Sequence, residues 1–138
     1  MTDDCPFCAI VEGDAPASVV HETDDTLAFM DIAPVTEGHA LVIPKAHSAG
    51  LDGLDPDTGG RLFQVGQEIA AALRASDVPT EGINLFLADG EVAGQEVFHV
   101  HLHVIPRTGD DDVVLGFERS DPERERLDDL ADAVASEL

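Results

Sequence analysis

Seven consecutive residues of this chain alternate between polar and apolar: His99-Val100-His101-Leu102-His103-Val104-Ile105. In an extended strand, side chains two apart share a face. Three imidazoles therefore fall on one side, with Val100, Leu102 and Val104 on the other. The apolar side requires a core beneath it. The imidazole side makes a poor surface filler, because three protonated rings in a row would crowd like charges, so it is expected to look into a cleft. Two chemistries suit such a face: a metal held by several imidazoles, or a nucleophilic imidazole flanked by helpers. The spacing alone does not choose between them.

The rest of the chain supplies partners for that strand. Short β-branched or apolar runs bounded by turn residues predict strands at residues 19–22, 26–30, 40–43, 83–87 and 97–105. Between the third and fourth, Asp55 offers an N-cap and Pro56 a first helical position. Leu62, Gly66, Ile69 and Leu73 then follow on one face, and Pro79 predicts a stop near Val78. Near the end, Ser120 and Glu123 have the spacing of a capping box, and Leu127, Leu130, Ala131 and Val134 form a stripe expected to dock. Closely spaced early strands and segregated helices predict the α+β class: an antiparallel five-stranded meander sheet with one central helix and a C-terminal helix. With 138 residues and no repeat or linker, one domain over 1–138 is expected.

Charge narrows the partners. The chain has 29 acidic against 7 basic residues, a formal net charge of -22, and Lys45 is its only lysine. Such a surface repels nucleic-acid phosphates, and salt near 1 M, with a Debye length of about 3 Å, hides most of that field. Adaptation to a salty cytoplasm is the reading adopted, and nucleic acid is not an expected partner. Disorder is the other meaning of an acidic composition, but 43% hydrophobic residues in periodic segments argue against it. No run approaches the roughly 18–20 apolar residues of a membrane span, and the start is acidic rather than signal-like. A soluble, cytoplasmic protein without a membrane partner is expected.

Cys5-Pro6-Phe7-Cys8 is a C-x-x-C pair, used by zinc knuckles and by redox dithiols. Two thiolates leave a tetrahedral zinc two ligands short, and His47 and His99 are the candidates to complete it. A redox role is disfavoured because no βαβ pattern surrounds the pair. His21 has no motif partner and reads as a surface or packing residue.

The triad strand, together with Phe29-Met30-Asp31-Ile32-Ala33-Pro34, Gly38-His39-Ala40-Leu41-Val42-Ile43-Pro44-Lys45 and Ala93-Gly94-Gln95, resembles the histidine-triad (HIT) nucleotide-binding family over nearly the whole chain, in its zinc-bearing bacterial or archaeal type. The resemblance implies that His101 is the nucleophile, that His103 and His39 face phosphate oxygens, and that Gln95 assists near the leaving group. It places Phe7, Ile10, Phe29 and Ile32 around the base and Asp31 on the ribose hydroxyls. Asp31 also needs a partner on its own account, as an acid inside an apolar run. The resemblance supports Cys5, Cys8, His47 and His99 as ligands of one structural zinc, and implies a homodimer.

One position departs from the family pattern: Ala88 stands where many relatives carry asparagine. Glu96 lies next to the implied anion site. The implied activity is hydrolysis at the α-phosphate of nucleoside phosphoramidates, dinucleoside polyphosphates or adenylylated compounds, with a purine nucleotide or nucleotide conjugate as ligand. Transfer of the nucleotidyl group to phosphate or a sugar phosphate, a regulatory nucleotide-binding module with little turnover, and a catalytic zinc on His99, His101 and His103 are the alternatives.

Overall fold

A computed structural model describes residues 4–138 of the chain; residues 1–3, with which the expected domain begins, lie outside the described residues. Five antiparallel strands form one sheet: β1 (Val19–Glu22), β2 (Thr26–Met30), β3 (Ala40–Pro44), β4 (Gly82–Phe86) and β5 (Leu102–Arg107). Their order is β1-β2-β3-β5-β4. The first three strands follow the chain, while β5 returns beside β3 and leaves β4 at the edge. Three helices accompany them: α1 (Pro6–Val11), α2 (Pro56–Ala75) and α3 (Arg124–Ala135). The α+β class and the antiparallel five-stranded sheet are as the sequence predicts. None of the helices among the described residues is long and apolar enough to cross a membrane.

The core lies on both faces of the sheet. On one face α2 lays Leu62, Val65, Ile69 and Leu73 against Ala28, Ala40, Val42, Leu102 and Val104. Gly66 permits this approach, since a Cβ there would come within 3.1 Å of the Leu102 side chain. Asp55 starts the helix by accepting the Thr58 N–H, with Pro56 as first residue. It ends at Ala75, before the expected Val78, because the Ser76 hydroxyl donates to the Leu73 carbonyl and the Val78 N–H to the Ser76 hydroxyl.

On the other face Phe7 of α1 joins Leu27, Phe29, Leu41 and Ile43. Residues directly opposite in antiparallel strands share a face. The register Phe29↔Leu41, Leu41↔His103, His103↔Phe86 therefore lays one row of side chains across four strands. This row is the floor on which the histidine site is built.

Three expectations need correction. The last strand begins at Leu102, not at residue 97. Upstream of it, the backbone groups of a ladder are committed elsewhere: the Val100 N–H donates to the Ser48 carbonyl, and the His99 carbonyl accepts from the His101 ring. Helix α3 starts after Glu123 with no side-chain cap, so the Ser120/Glu123 box does not form. Its stripe does not dock on this chain, and Leu127, Leu130 and Val134 are 38%, 43% and 65% exposed. Helix α1 went unpredicted because its six residues are too few to show a period. Pro6 opens it, and the Cys5 thiol accepts the Cys8 N–H.

Candidate functional site

Backbone groups fix the tautomers of the histidines one by one. A carbonyl only accepts, so the 2.8 Å bond from His101 Nδ1 to the His99 carbonyl puts a proton on Nδ1, and in the neutral ring this tautomer leaves Nε2 with a bare lone pair. His99 is fixed in the opposite sense. Its Nε2–H donates to the Pro44 carbonyl at 2.8 Å, which frees Nδ1 as a ligand atom. At His39 the logic reverses again, because a backbone N–H only donates. Val35 N–H reaches His39 Nδ1 at 3.0 Å, so the neutral ring carries its proton on Nε2 and donates it to His103 Nδ1 at 2.8 Å. His103 then holds its own proton on Nε2. The chain Val35, His39, His103 thus delivers an N–H at the far edge of His103.

Burial keeps these two rings neutral. His39 is 2% exposed, and desolvation lowers its pKa against the opposing pull of Asp31. Burial likewise pushes His103 down to about 4, with the neighbouring His101 and His39 acting in the same direction and Asp31 against it. Asp31 is held in place by the Ala33 N–H, which donates to its Oδ1 at 2.8 Å, while Oδ2 lies 3.5 Å from His39 Nε2.

The histidines open into a cavity of about 720 Å³. Phe7, Ile10, Phe29, Asp31, Ile32, His39, His101 and His103 all line it, so eight of the residues singled out from sequence meet in one place. The Phe7 ring stands edge-on to both Phe29 and His101, with centroids 5.6 Å and 5.2 Å away. Ile32 is 98% exposed and forms the rim rather than the floor. Glu96 also lines the cavity.

Gln95 does not. Its side chain is buried, its amide donates to the Ala49 and Val97 carbonyls at 2.6 Å and 3.1 Å, and its Oε1 accepts the Gly90 N–H at 2.8 Å. It ties down the loop that carries Gly94, where φ is +101°. Sequence reasoning missed two members of the site. Phe86 lines the cavity at the end of β4 and was legible only through its pairing with His103. The Val35 backbone donor has no signal in side-chain chemistry at all.

The three triad rings do not share one cleft, which corrects the single imidazole face inferred from strand alternation. The strand begins only at Leu102, so His99 sits in an irregular segment. Its ring turns to Cys5, Cys8 and His47, and these four residues bring one ligand atom each within 4.8 Å of one another. His99 Nδ1 lies 3.3 Å from Cys5 Sγ, 3.5 Å from Cys8 Sγ and 3.3 Å from His47 Nδ1; Cys8 Sγ lies 3.3 Å from His47 Nδ1. A tetrahedral zinc with bonds of about 2.3 Å to sulfur and about 2.0–2.1 Å to nitrogen separates its ligands by roughly 3.3–3.8 Å. The donor set and its spacing fit that ion. A catalytic metal on His99, His101 and His103 does not fit, with His99 facing away. Asp31, His39 and His103 also approach one another closely, but the proton that Val35 forces onto His39 Nε2 makes that group a hydrogen-bond chain.

Residues 12–110 match the HIT domain family. A HIT family protein from Bacillus anthracis superimposes with a TM-score of 0.91 at 40% identity, covering 99% of this chain and 98% of that one. A zinc-bound histidine triad family protein from Mycobacterium smegmatis does so with a TM-score of 0.80 at 43% identity, covering 100% and 97%. Among curated relatives, the adenosine 5'-monophosphoramidase of Schizosaccharomyces pombe is 38% identical over 107 residues, 78% of this chain and 77% of that one.

Proposed function

Since the chain belongs to the HIT domain family, we propose that it is a nucleotide-binding hydrolase that cleaves at the α-phosphate through a nucleotidyl-histidine intermediate. Its substrates are nucleoside phosphoramidates, dinucleoside polyphosphates or adenylylated compounds. The observation that carries the reading is the bond from His101 Nδ1 to the His99 carbonyl, which in the neutral ring leaves the Nε2 lone pair available at the wall of a nucleoside-sized cavity.

In this mechanism His101 Nε2 attacks the α-phosphorus and forms a P–N bond as the bond to the leaving group breaks. The leaving group departs with a proton from solvent. Water then adds to phosphorus, the His101 P–N bond breaks, the hydroxyl stays on the nucleotide and the second proton returns to solvent. Two easier displacements replace one difficult one. The Nε2–H of His103, presented through His39, stabilises charge on the phosphoryl oxygens.

Phe7, Ile10, Phe29 and Ile32 enclose a purine base, and Asp31 Oδ2, 3.5 Å from His39 Nε2, accepts from the ribose hydroxyls. Gln95 acts near the leaving group by holding the loop of Gly94 and Glu96 in position. Cys5, Cys8, His47 and His99 hold one structural zinc, which ties α1 to the segment leading into β5; the M. smegmatis neighbour, described as zinc-bound, supports this. A single domain over 1–138, a homodimer and a salt-adapted cytoplasmic setting in a bacterium or archaeon complete the reading.

The test is rapid-quench mass spectrometry with an adenosine phosphoramidate in molar salt. A transient AMP adduct on His101 is expected, with turnover lost in His101→Ala. Turnover that survives in that variant refutes the assignment.

A further inference from the structure

The cavity holds no permanent positive charge. Among the described residues, no lysine or arginine lines it, and the acidic residues that do are Asp31 and Glu96. The cations of the folded body are engaged elsewhere: Lys45 with Glu22 at 2.6 Å, Arg107 with Asp111 at 2.6 Å, and Arg61 with Gln64 at 2.7 Å. Arg74 lies in the last turn of α2, and Arg119, Arg124 and Arg126 belong to the exposed terminal stretch. None of these lines the cavity. His103 is a neutral donor, and His39 gives its own proton to His103 Nδ1, an arrangement suited to the single charge of a bridging α-phosphate. A chain of phosphates would bring several further charges into a cavity with no lysine or arginine to meet them.

Glu96 sharpens the point. Asp31 follows β2 directly and lines the cavity beside Phe29 and Met30, the nucleoside end of the reading above. Glu96 arrives instead on the loop that Gln95 pins, two residues after Gly94 and five before His101. It is exposed and makes no ion pair among the described residues. A carboxylate so placed attracts a cation that approaches with the departing group, at short range where salt screens least.

We propose that Glu96 is a specificity-determining residue that favours α-phosphoryl substrates whose leaving group carries a positive charge, such as phosphoramidates of basic amines, and disfavours polyphosphate leaving groups. This rests on the hydrolase reading above.

The probes are three adenosine 5'-phosphoramidates of near-equal size, with 2-aminoethylamine, n-propylamine or glycine as the leaving amine. These present a cationic, a neutral and an anionic tail. Intrinsic leaving-group reactivity cancels when the ratios of kcat/KM are compared between the unaltered protein and Glu96→Gln or Glu96→Lys. The cationic-to-anionic ratio is expected to fall at least tenfold in Glu96→Gln and further, toward inversion, in Glu96→Lys. Thermal unfolding of each variant checks that the exposed substitution leaves the fold intact. Ratios that stay within twofold across all three proteins overturn the role of Glu96 while leaving the hydrolase reading in place. Failure of the unaltered protein to hydrolyse any of the three overturns both.

Discussion

Replacing His39 by alanine tests the hydrogen-bond chain that aims His103. His39 is almost fully buried, and its ring joins two groups: Val35 N–H at 3.0 Å and His103 Nδ1 at 2.8 Å. Val35 is half-exposed, so water can replace its lost acceptor. His103 Nδ1 keeps no fixed donor, and a buried polar group left unpaired costs about 1–3 kcal/mol. Adding the space vacated by the ring, the variant is expected to lose roughly 2–4 kcal/mol of stability and to remain folded at 25 °C.

The catalytic effect is separate. Removing an aimed donor costs about 10²–10³-fold in kcat, which is the expectation for His103→Ala. His39→Ala leaves the His103 ring in place but frees its tautomer, so a loss of roughly 10–100-fold is expected by the same reasoning. The two losses must not multiply. If His39 acts only through His103, the double variant is no slower than His103→Ala alone, a coupling that a double-mutant cycle in kcat measures directly. His39→Gln, whose amide again donates toward His103, should recover most of the activity. Losses that multiply, or a glutamine variant as slow as the alanine one, would refute the chain.

Three further outcomes follow from the same geometry. Metal analysis should find about one zinc per chain, lost when Cys5 and Cys8 are both replaced by serine but kept in His101→Ala; at zinc a hundredfold above its dissociation constant, the bound form gains about 2.7 kcal/mol over the stripped one. His103 titrates at about 4 in the folded chain against an ordinary 6.5, so the unfolded chain binds its proton first. The stability tied to His103 is complete above pH 6.5 and is lost as pH falls toward 4; discounted for partial exposure, the loss is roughly 1–3 kcal/mol. Ring-resolved NMR titration reads this pKa, and a value near 6.5 would contradict the desolvated, neutral ring. Sedimentation across ionic strength should show a dimer in molar salt that dissociates as salt is withdrawn, since the net charge of -22 opposes association; a monomer at every salt concentration would remove the homodimer.

What was readable in the sequence follows a physical division. Periodicity finds faces that must be buried, so α2 was legible residue by residue: Leu62, Gly66, Ile69 and Leu73 are all inside. Spacing also finds donors of the right chemistry, and Cys5, Cys8, His47 and His99 converge although 94 residues separate the first from the last. Periodicity does not say when a strand has a partner to pair with. His99-Val100-His101 alternates as well as any strand, but its backbone groups are held by Ser48 and by the His101 ring. The break has a chemical use. On a regular strand all three rings would face the same way, and a nitrogen of His99 would compete for whatever His101 holds. Departing from the ladder turns His99 toward the cysteines and lets its carbonyl accept the His101 Nδ1 proton. The irregularity that defeated the strand assignment therefore sets both the metal-ligand tautomer of His99 and the bare nitrogen of His101.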